Sequence, residues 1–444
     1  MKKLLIALLL LMLLPLAAPA EETVLLHTTA WLDDNTLTEF TQAYPHIRVE
    51  MVESVNSIQE SVLSGAEIDV YQVEAAGAYE EILKKGYAAA LENEALSAKA
   101  ERLVPALKEI VFQDGKLLAF PAYLTLNTWT LDETAWLEAG FTLEEVPATL
   151  AQFLACFEKW QDDLAQDYAD RYFFEGGSLA YLTRVLVRQY LAANESDTAA
   201  VSFDTPAFRE TLAQLEQARP LFDRDAEQMQ AIVNGEMEGG FPLIYNYGMS
   251  YGYTGLDSHI ARPLAIPALQ ANAEPFTEGE ASLYFVSARS AHPQEAALFI
   301  NFLADKMNIE TQYGLYSDCD QPVENPNFPA LKERFTQELE EKRTQLQSCK
   351  PAEKQELEDR IAWLESWMTR QDEIRWVITQ KDIDLHFSLT KNLRIPTDSL
   401  YLAQDSNCYS TLTGLISRFS AGEISADAFI TEMDRTCSLA FLEQ

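Results

Sequence analysis

Thr23-Val24-Leu25-Leu26-His27-Thr28 is an apolar run, residues 32–44 follow with helical spacing that turns Leu37 and Phe40 inward, and Ile47-Arg48-Val49-Glu50-Met51 then alternates. Such a series reads as strand, helix and half-buried strand. Tyr44-Pro45 ends the helix, because a residue before proline is pushed out of the α region. The rhythm continues with a helix at 57–64, a strand at 68–73 and a helix at 78–85 closed by Gly86. Helix and strand in strict alternation specify an α/β chain built on an open, mostly parallel sheet.

Beyond this stretch, a helix is expected at 100–112, a turn at Gln113-Asp114-Gly115, a strand at 116–120 and extended chain through 122–131. Residues 132–240 read as largely helical. Strand patterns return at 241–245, near 263–266 and at 281–287, before a helix at 293–306. The α/β and helical blocks interleave, so the two lobes expected of about 424 mature residues are discontinuous in sequence. Residues 331–347 and 352–378 have a different texture. They read as two charged amphipathic helices joined at Cys349-Lys350-Pro351, with Leu339, Leu346, Leu357, Ile361 and Leu364 as the seam of an antiparallel hairpin. Such a hairpin is either a packing embellishment or a docking surface.

The amino terminus carries Lys2 and Lys3, an apolar run over 4–14 and Ala18-Pro19-Ala20. This is the pattern of a secretory signal, with an apolar core shorter than a membrane span. The mature chain is expected to begin near Glu21, outside the cytoplasm, either periplasmic or extracellular. No cysteine follows until Cys156, so a soluble protein without a lipid anchor is expected. The 33 basic and 69 acidic residues give a net charge of −36, which becomes −38 once the two leader lysines are lost. That surface repels nucleic acid and anionic lipid and favours a self-repelling monomer. Of five cysteines, Cys408 and Cys437 flank the last helical region and are the foremost candidates to pair; Cys319 and Cys349 are a second possible pair. Cys156, between Ala155 and Phe157, reads as a buried apolar thiol.

Asp114-Gly115-Lys116-Leu117-Leu118-Ala119-Phe120-Pro121 resembles a segment of the family 1 extracellular solute-binding proteins, the maltose-binding-protein-like group, where it leads from the first lobe to the second. Further stretches agree in order: Tyr44-Pro45 with Val49, Ile68-Asp69-Val70, Gly86-Tyr87 with Leu91, Ala139-Gly140-Phe141 before Pro147, and Ser287 to Ala297 leading into Phe299-Ile300-Asn301. The family's usual tyrosine–asparagine pair is here Leu131-Asp132, and the 330–380 hairpin has no counterpart in the resemblance. The resemblance implies a two-lobed, type II periplasmic-binding-protein-like fold that closes on a small molecule by hinge bending. It also implies a partnership with the membrane domains of an ATP-binding-cassette importer. The expected division is a leader at 1–20, a first lobe from 21–124 plus about 262–320, a second lobe from 125–261 plus about 381–444, and the inserted hairpin at 330–380.

In such a fold the ligand sits at the carboxyl ends of the strands. Trp31 after the first strand, Gln72 and Glu74 at the end of the third, and Tyr123, Thr125 and Trp129 in the crossing segment are the candidates this implies. Residues 245–255 place tyrosines, including Tyr245, Tyr247 and Tyr251, among glycines, which suits stacking on a sugar or aromatic ligand. Glu175 and Ser178, with Tyr181, stand where a helix would begin and could receive a polar ligand group. Carbohydrate is the leading ligand class; a polyamine or thiamine-like cation is the alternative, since carboxylates and aromatics also suit cations.

Catalysis and cofactors find little support. Gly248-Met249-Ser250-Tyr251-Gly252 spells a nucleophile elbow, yet Tyr253-Thr254-Gly255 is a poor helix start. In the thiaminase I group, which is similar in fold, a cysteine stands where this chain has Thr125, and the glutamate base falls near Tyr247; both groups are missing here. The five histidines have no metal-ligand spacing, and no phosphate-cradling glycine loop occurs, so no metal and no cofactor is expected.

Overall fold

A computed structural model of the chain describes residues 23–52, 58–75, 79, 82–83, 85–168, 170–175, 178–194, 198–234, 241–250, 261–270, 276–350, 354–369, 375–395 and 407–442. The leader and the helix expected at 78–85 lie wholly or largely outside these residues.

The opening rhythm is present as β1 Val24–Thr28, α1 Asp34–Ala43, β2 Ile47–Met51, α2 Ile58–Ser64 and β3 Val70–Glu74. Asp33 caps α1 by accepting from Thr36 N at 2.9 Å. Asp69 ties this region together, since its carboxylate accepts from His27 N at 2.9 Å and from Ser290 Oγ at 2.5 Å. After β4 Ala88–Ala89, the single helix expected at 100–112 is two, α3 Glu94–Ala100 and α4 Pro105–Val111, because Pro105 starts a new helix at its first turn. The hairpin β5 Phe112–Gln113 and β6 Lys116–Leu117 turns on Asp114 and Gly115, both at positive φ, as a two-residue hairpin loop requires.

What the sequence shows as a short strand followed by extended chain is one 14-residue strand, β7 Ala119–Asp132. The helical region then holds α5 Glu133–Glu138, α6 Leu150–Lys159, a strand β8 Arg171–Phe174 that periodicity missed, α7 Leu179–Asn194, α8 Pro206–Gln217 and α9 Arg219–Val233. There follow β9 Phe241–Ser250, β10 Ala261–Leu264, β11 Thr277–Ser287, α10 Pro293–Lys306, α11 Ile309–Leu315 and β12 Val323–Glu324. The hairpin is α12 Phe328–Leu346 and α13 Lys354–Thr369. Its second helix stops short of the expected 378, because Trp376–Ile378 forms β13 against β12. The chain ends through α14 Gln380–Thr390, β14 Leu393–Arg394, α15 Asn407–Ser420 and α16 Ala426–Leu442.

One sheet runs in the order β2-β1-β3-β11-β7-β9-β8, with β10 on β7 and with β4 and β14 on β11. Its outer pairs β1/β2, β1/β3 and β8/β9 are parallel; the central pairs β3/β11, β11/β7 and β7/β9 are antiparallel. The sheet is therefore mixed, because β7 and β11 are not joined to their neighbours by βαβ crossovers.

Two large cores flank β7. Leu26, Phe40, Val70, Phe120, Leu283, Phe285 and Phe299 belong to the first, and Trp129, Trp136, Phe153, Phe173, Leu186, Leu212, Phe419 and Met433 to the second. Leu385, Leu389 and Leu393 pack with the first core, whereas the sequence reading grouped everything from about 381 with the second lobe. The α12/α13 seam is built by Leu339, Ile361 and Leu364 with Phe335, Leu346 and Met368 against it. Cys319 and Cys349 are free thiols, so the bridge considered for them is not formed. Cys408 and Cys437 are both buried, on the packed helices α15 and α16. Cys156 is buried, donates to Glu145 O at 3.3 Å and has its thiol pushed up to about 11 by burial, as its apolar setting suggested.

The buried carboxylate of Asp225 on α9 accepts from Phe173 N at 2.8 Å and Phe174 N at 3.1 Å, fastening β8 to the second core. Burial outweighs these bonds and raises its carboxyl to about 7. A raised folded-state value means that stability present below about pH 3.9, the unfolded value, is lost as pH climbs towards 7. Urea denaturation should therefore show the advantage of the wild-type chain over Asp225→Asn shrinking between pH 4 and 7 and staying level above; a pH-independent difference would contradict this account.

Candidate functional site

The strands β3, β11 and β7 lie side by side between the two cores. In the ladder Ser282 pairs with both Glu74 and Tyr123, Tyr284 with Gln72, Glu280 with Thr125, and Glu278 with Asn127. Residues at alternate positions share a face. Tyr71, Val73, Leu124, Leu126, Ala281, Leu283 and Phe285 point into the first core, so Gln72, Glu74, Tyr123, Thr125, Asn127, Glu278, Glu280, Ser282 and Tyr284 share the opposite face. Gly279 keeps these strands close, since a Cβ there would stand 3.0 Å from both Leu124 Cδ1 and Leu393 Cδ1.

Hydrogen bonds link this face across the strands. Tyr123 donates to Glu74 Oε1 at 3.0 Å, Asn127 Nδ2 to Glu280 Oε1 at 3.0 Å and Gln72 Nε2 to Ser282 Oγ at 3.1 Å. Burial first, then the Glu74 charge, holds the Tyr123 phenol above its ordinary value, which keeps it a donor. Gln72 N donates to Thr29 Oγ1 at 3.0 Å, which places the loop after β1 beside this face. Two residues further along that loop, the Trp31 side chain is 83% exposed. Its neighbour Leu32 donates from its N to Met51 Sδ at 3.3 Å, at the end of β2. An indole left in water in this loop is a stacking surface on the same sheet as three carboxylates and several amide and hydroxyl groups.

Gln72, Glu74, Tyr123 and Thr125 are thus brought together on one polar face, and Trp31 stands exposed in the loop after β1. Trp129 is not among them: it is fully buried in the second core, packed on Phe153 and Phe174, with its Nε1 donating to Tyr181 OH at 3.0 Å. Tyr181 is half-buried against the same core, where burial raises its phenol. Ser178 is exposed before α7 and accepts from Tyr181 N at 3.3 Å, while Glu175 N donates to Ile244 O at 2.8 Å. Glu175 and Ser178 stand at the entry to α7, while Tyr181 feels the charges of both Glu278, on the polar face, and Arg188. The ladder sets Tyr245 opposite Thr130 and Tyr247 opposite Thr128, in the row that alternates with Thr125 and Asn127. Tyr251 lies outside the described residues, as does the segment after Ser250 on which the serine-elbow reading depends.

Asn127, Glu278, Glu280, Ser282 and Arg188 were missed. Glu278-Gly279-Glu280-Ala281-Ser282 alternates polar and small residues, a strand signal hidden by the glycine, and Arg188 in mid-helix carries no local signal at all. Among the described residues no cluster suited to a metal ion occurs, and no helix is long and apolar enough to cross a membrane.

The family model for bacterial extracellular solute-binding proteins matches residues 27–309, well over half of the 444. The chain belongs to that family. The match runs from the end of β1 through α10 and takes in every residue of the polar face. No curated protein matches the chain in sequence. Among solved structures, the fold resembles the cyclic alpha-maltosyl-1,6-maltose binding protein of Arthrobacter globiformis, with TM-score 0.58 and 16% identity over 95% of this chain and 99% of that one. It also resembles the GacH receptor of Streptomyces glaucescens (0.57, 11%, 95% and 100%) and the sugar-binding protein MalE of Xanthomonas citri (0.55, 12%, 95% and 98%). At these identities the likeness is one of fold, a two-lobed solute-binding architecture.

Packing and ligand-facing roles separate by stability. Trp129→Ala should cost about 3–5 kcal/mol, as expected for a buried aromatic, whereas Trp31→Ala should change stability by less than about 0.5 kcal/mol. Urea titration of the two variants checks this; equal losses would remove Trp31 from the candidate site.

Proposed function

We propose that this solute-binding protein is a non-catalytic, exported capture component that takes a carbohydrate between its lobes and delivers it to an ATP-binding-cassette importer. The observation that carries the proposal is the polar sheet face between the cores, together with the exposed Trp31 in the loop after β1. Sugar hydroxyls donate to carboxylates and accept from amides and phenols, and the apolar faces of pyranose rings stack on indoles. Glu74, Glu280, Asn127, Gln72 and Tyr123 supply those partners on three adjacent strands. The similar solved structures, a cyclic alpha-maltosyl-1,6-maltose binding protein, the GacH receptor in complex with acarbose and the sugar-binding protein MalE, support the same ligand class. The proposal includes a monomer exported through the residue 1–20 leader, with lobes that meet at β7.

A thermal-shift screen of the mature chain against sugars, amines, amino acids and vitamins tests the reading, because a ligand that binds only the native state raises the midpoint. Oligosaccharides should raise it reproducibly, and Trp31→Ala should weaken the best of them at least tenfold. A shift confined to amines or vitamins would overturn the carbohydrate assignment.

A further inference from the structure

Arg188 Nη2 lies 2.5 Å from Glu278 Oε2, an ion pair whose carboxylate is only 14% exposed and whose guanidinium is 36% exposed. The partners are anchored in different cores. Arg188 is on α7, whose Leu182, Leu186 and Leu191 pack in the second core; Glu278 is on β11, which runs on through Leu283, Phe285 and Val286 into the first. The next residue of α7, the buried Gln189, grips the chain that leads from β10 to β11. Its Nε2 donates to Pro267 O at 3.0 Å and its Oε1 accepts from Leu269 N at 3.0 Å. Ala268 between them also bridges Thr149 in the ladder and accepts from Leu150 N at 3.2 Å. Residues 267–269 therefore travel with the second core, while Glu278, a few residues later, travels with the first. Any rotation of one lobe on the other strains the Arg188–Glu278 contact.

Breaking that contact is costly for a specific reason. Glu278 stands two residues from Glu280 on the same face, and burial raises its carboxyl despite the arginine. Without Arg188 it would be a poorly solvated charge beside a like charge.

We propose that Arg188 and Glu278 form an interlobe latch that holds the two lobes in the arrangement described here and sets the threshold for lobe rotation. The inference rests on the capture reading only for its purpose; the latch itself is tested without solute. Arg188→Ala and Glu278→Ala should each enlarge the radius of gyration in small-angle X-ray scattering. Each should also speed amide exchange of residues 186–190 and 277–280 at least tenfold, with circular dichroism confirming the fold. The charge-swapped double variant, Arg188→Glu with Glu278→Arg, should restore both readouts towards wild type, and it serves equally if either single variant fails to fold. Unchanged scattering and exchange in folded single variants, or a swap that behaves like them, would overturn the latch. Such a failure would leave the carbohydrate proposal untouched, just as a blank ligand screen would leave the latch standing.

Discussion

The structure depends on a single constraint: β7 is hydrogen-bonded on both edges, and its neighbours change along its length. Residues 119–127 pair with β11 and residues 125–131 with β9, so the two ladders overlap at Thr125, Leu126 and Asn127. One strand thus belongs to both lobes, and its side chains divide accordingly. Phe120, Leu124 and Leu126 enter the first core, and Trp129 and Leu131 enter the second. A backbone held this way cannot slip in register without turning both apolar sets to the wrong face. The overlap is accordingly a fixed floor on which polar groups can be arranged.

That floor explains why so many polar side chains are tolerated at the centre of a sheet. Several are hydrogen-bonded to a neighbour across the strands, Tyr123 to Glu74, Asn127 to Glu280 and Gln72 to Ser282, so their burial is partly compensated. Three carboxylates on one face would repel one another; Arg188 offsets the most buried of them. The remaining two, Glu74 and Glu280, are exposed.

Much of this architecture was legible from residue pattern. The alternation from Thr23 to Val73, the Gly115-to-Pro121 segment and the helix after Pro293 made the α/β fold class readable. Gln72, Glu74 and Tyr123, which the resemblance put forward, do share one face of the sheet. What pattern could not reveal was long-range. Trp129 lies on the same strand as Tyr123, and only the switch of neighbours from β11 to β9 makes one a core residue and the other a surface one. Glu278 and Glu280 were hidden because Gly279, needed for close packing against Leu124 and Leu393, breaks the strand signal. Arg188 becomes significant only once the fold brings it to Glu278, nearly a hundred residues away in sequence. The 381–395 segment went to the wrong neighbour in the sequence reading for a similar reason: Leu385 and Leu389 show which face is apolar, but not which core covers it.

The central claim is that solute is held on the overlap of the two β7 ladders. Hydrogen–deuterium exchange of the mature chain with and without a saturating oligosaccharide tests it most directly. The account predicts that peptides covering 119–132 and 277–287 gain protection together with the loop at Trp31. Protection confined to the α12/α13 hairpin, with those strands unchanged, would contradict it.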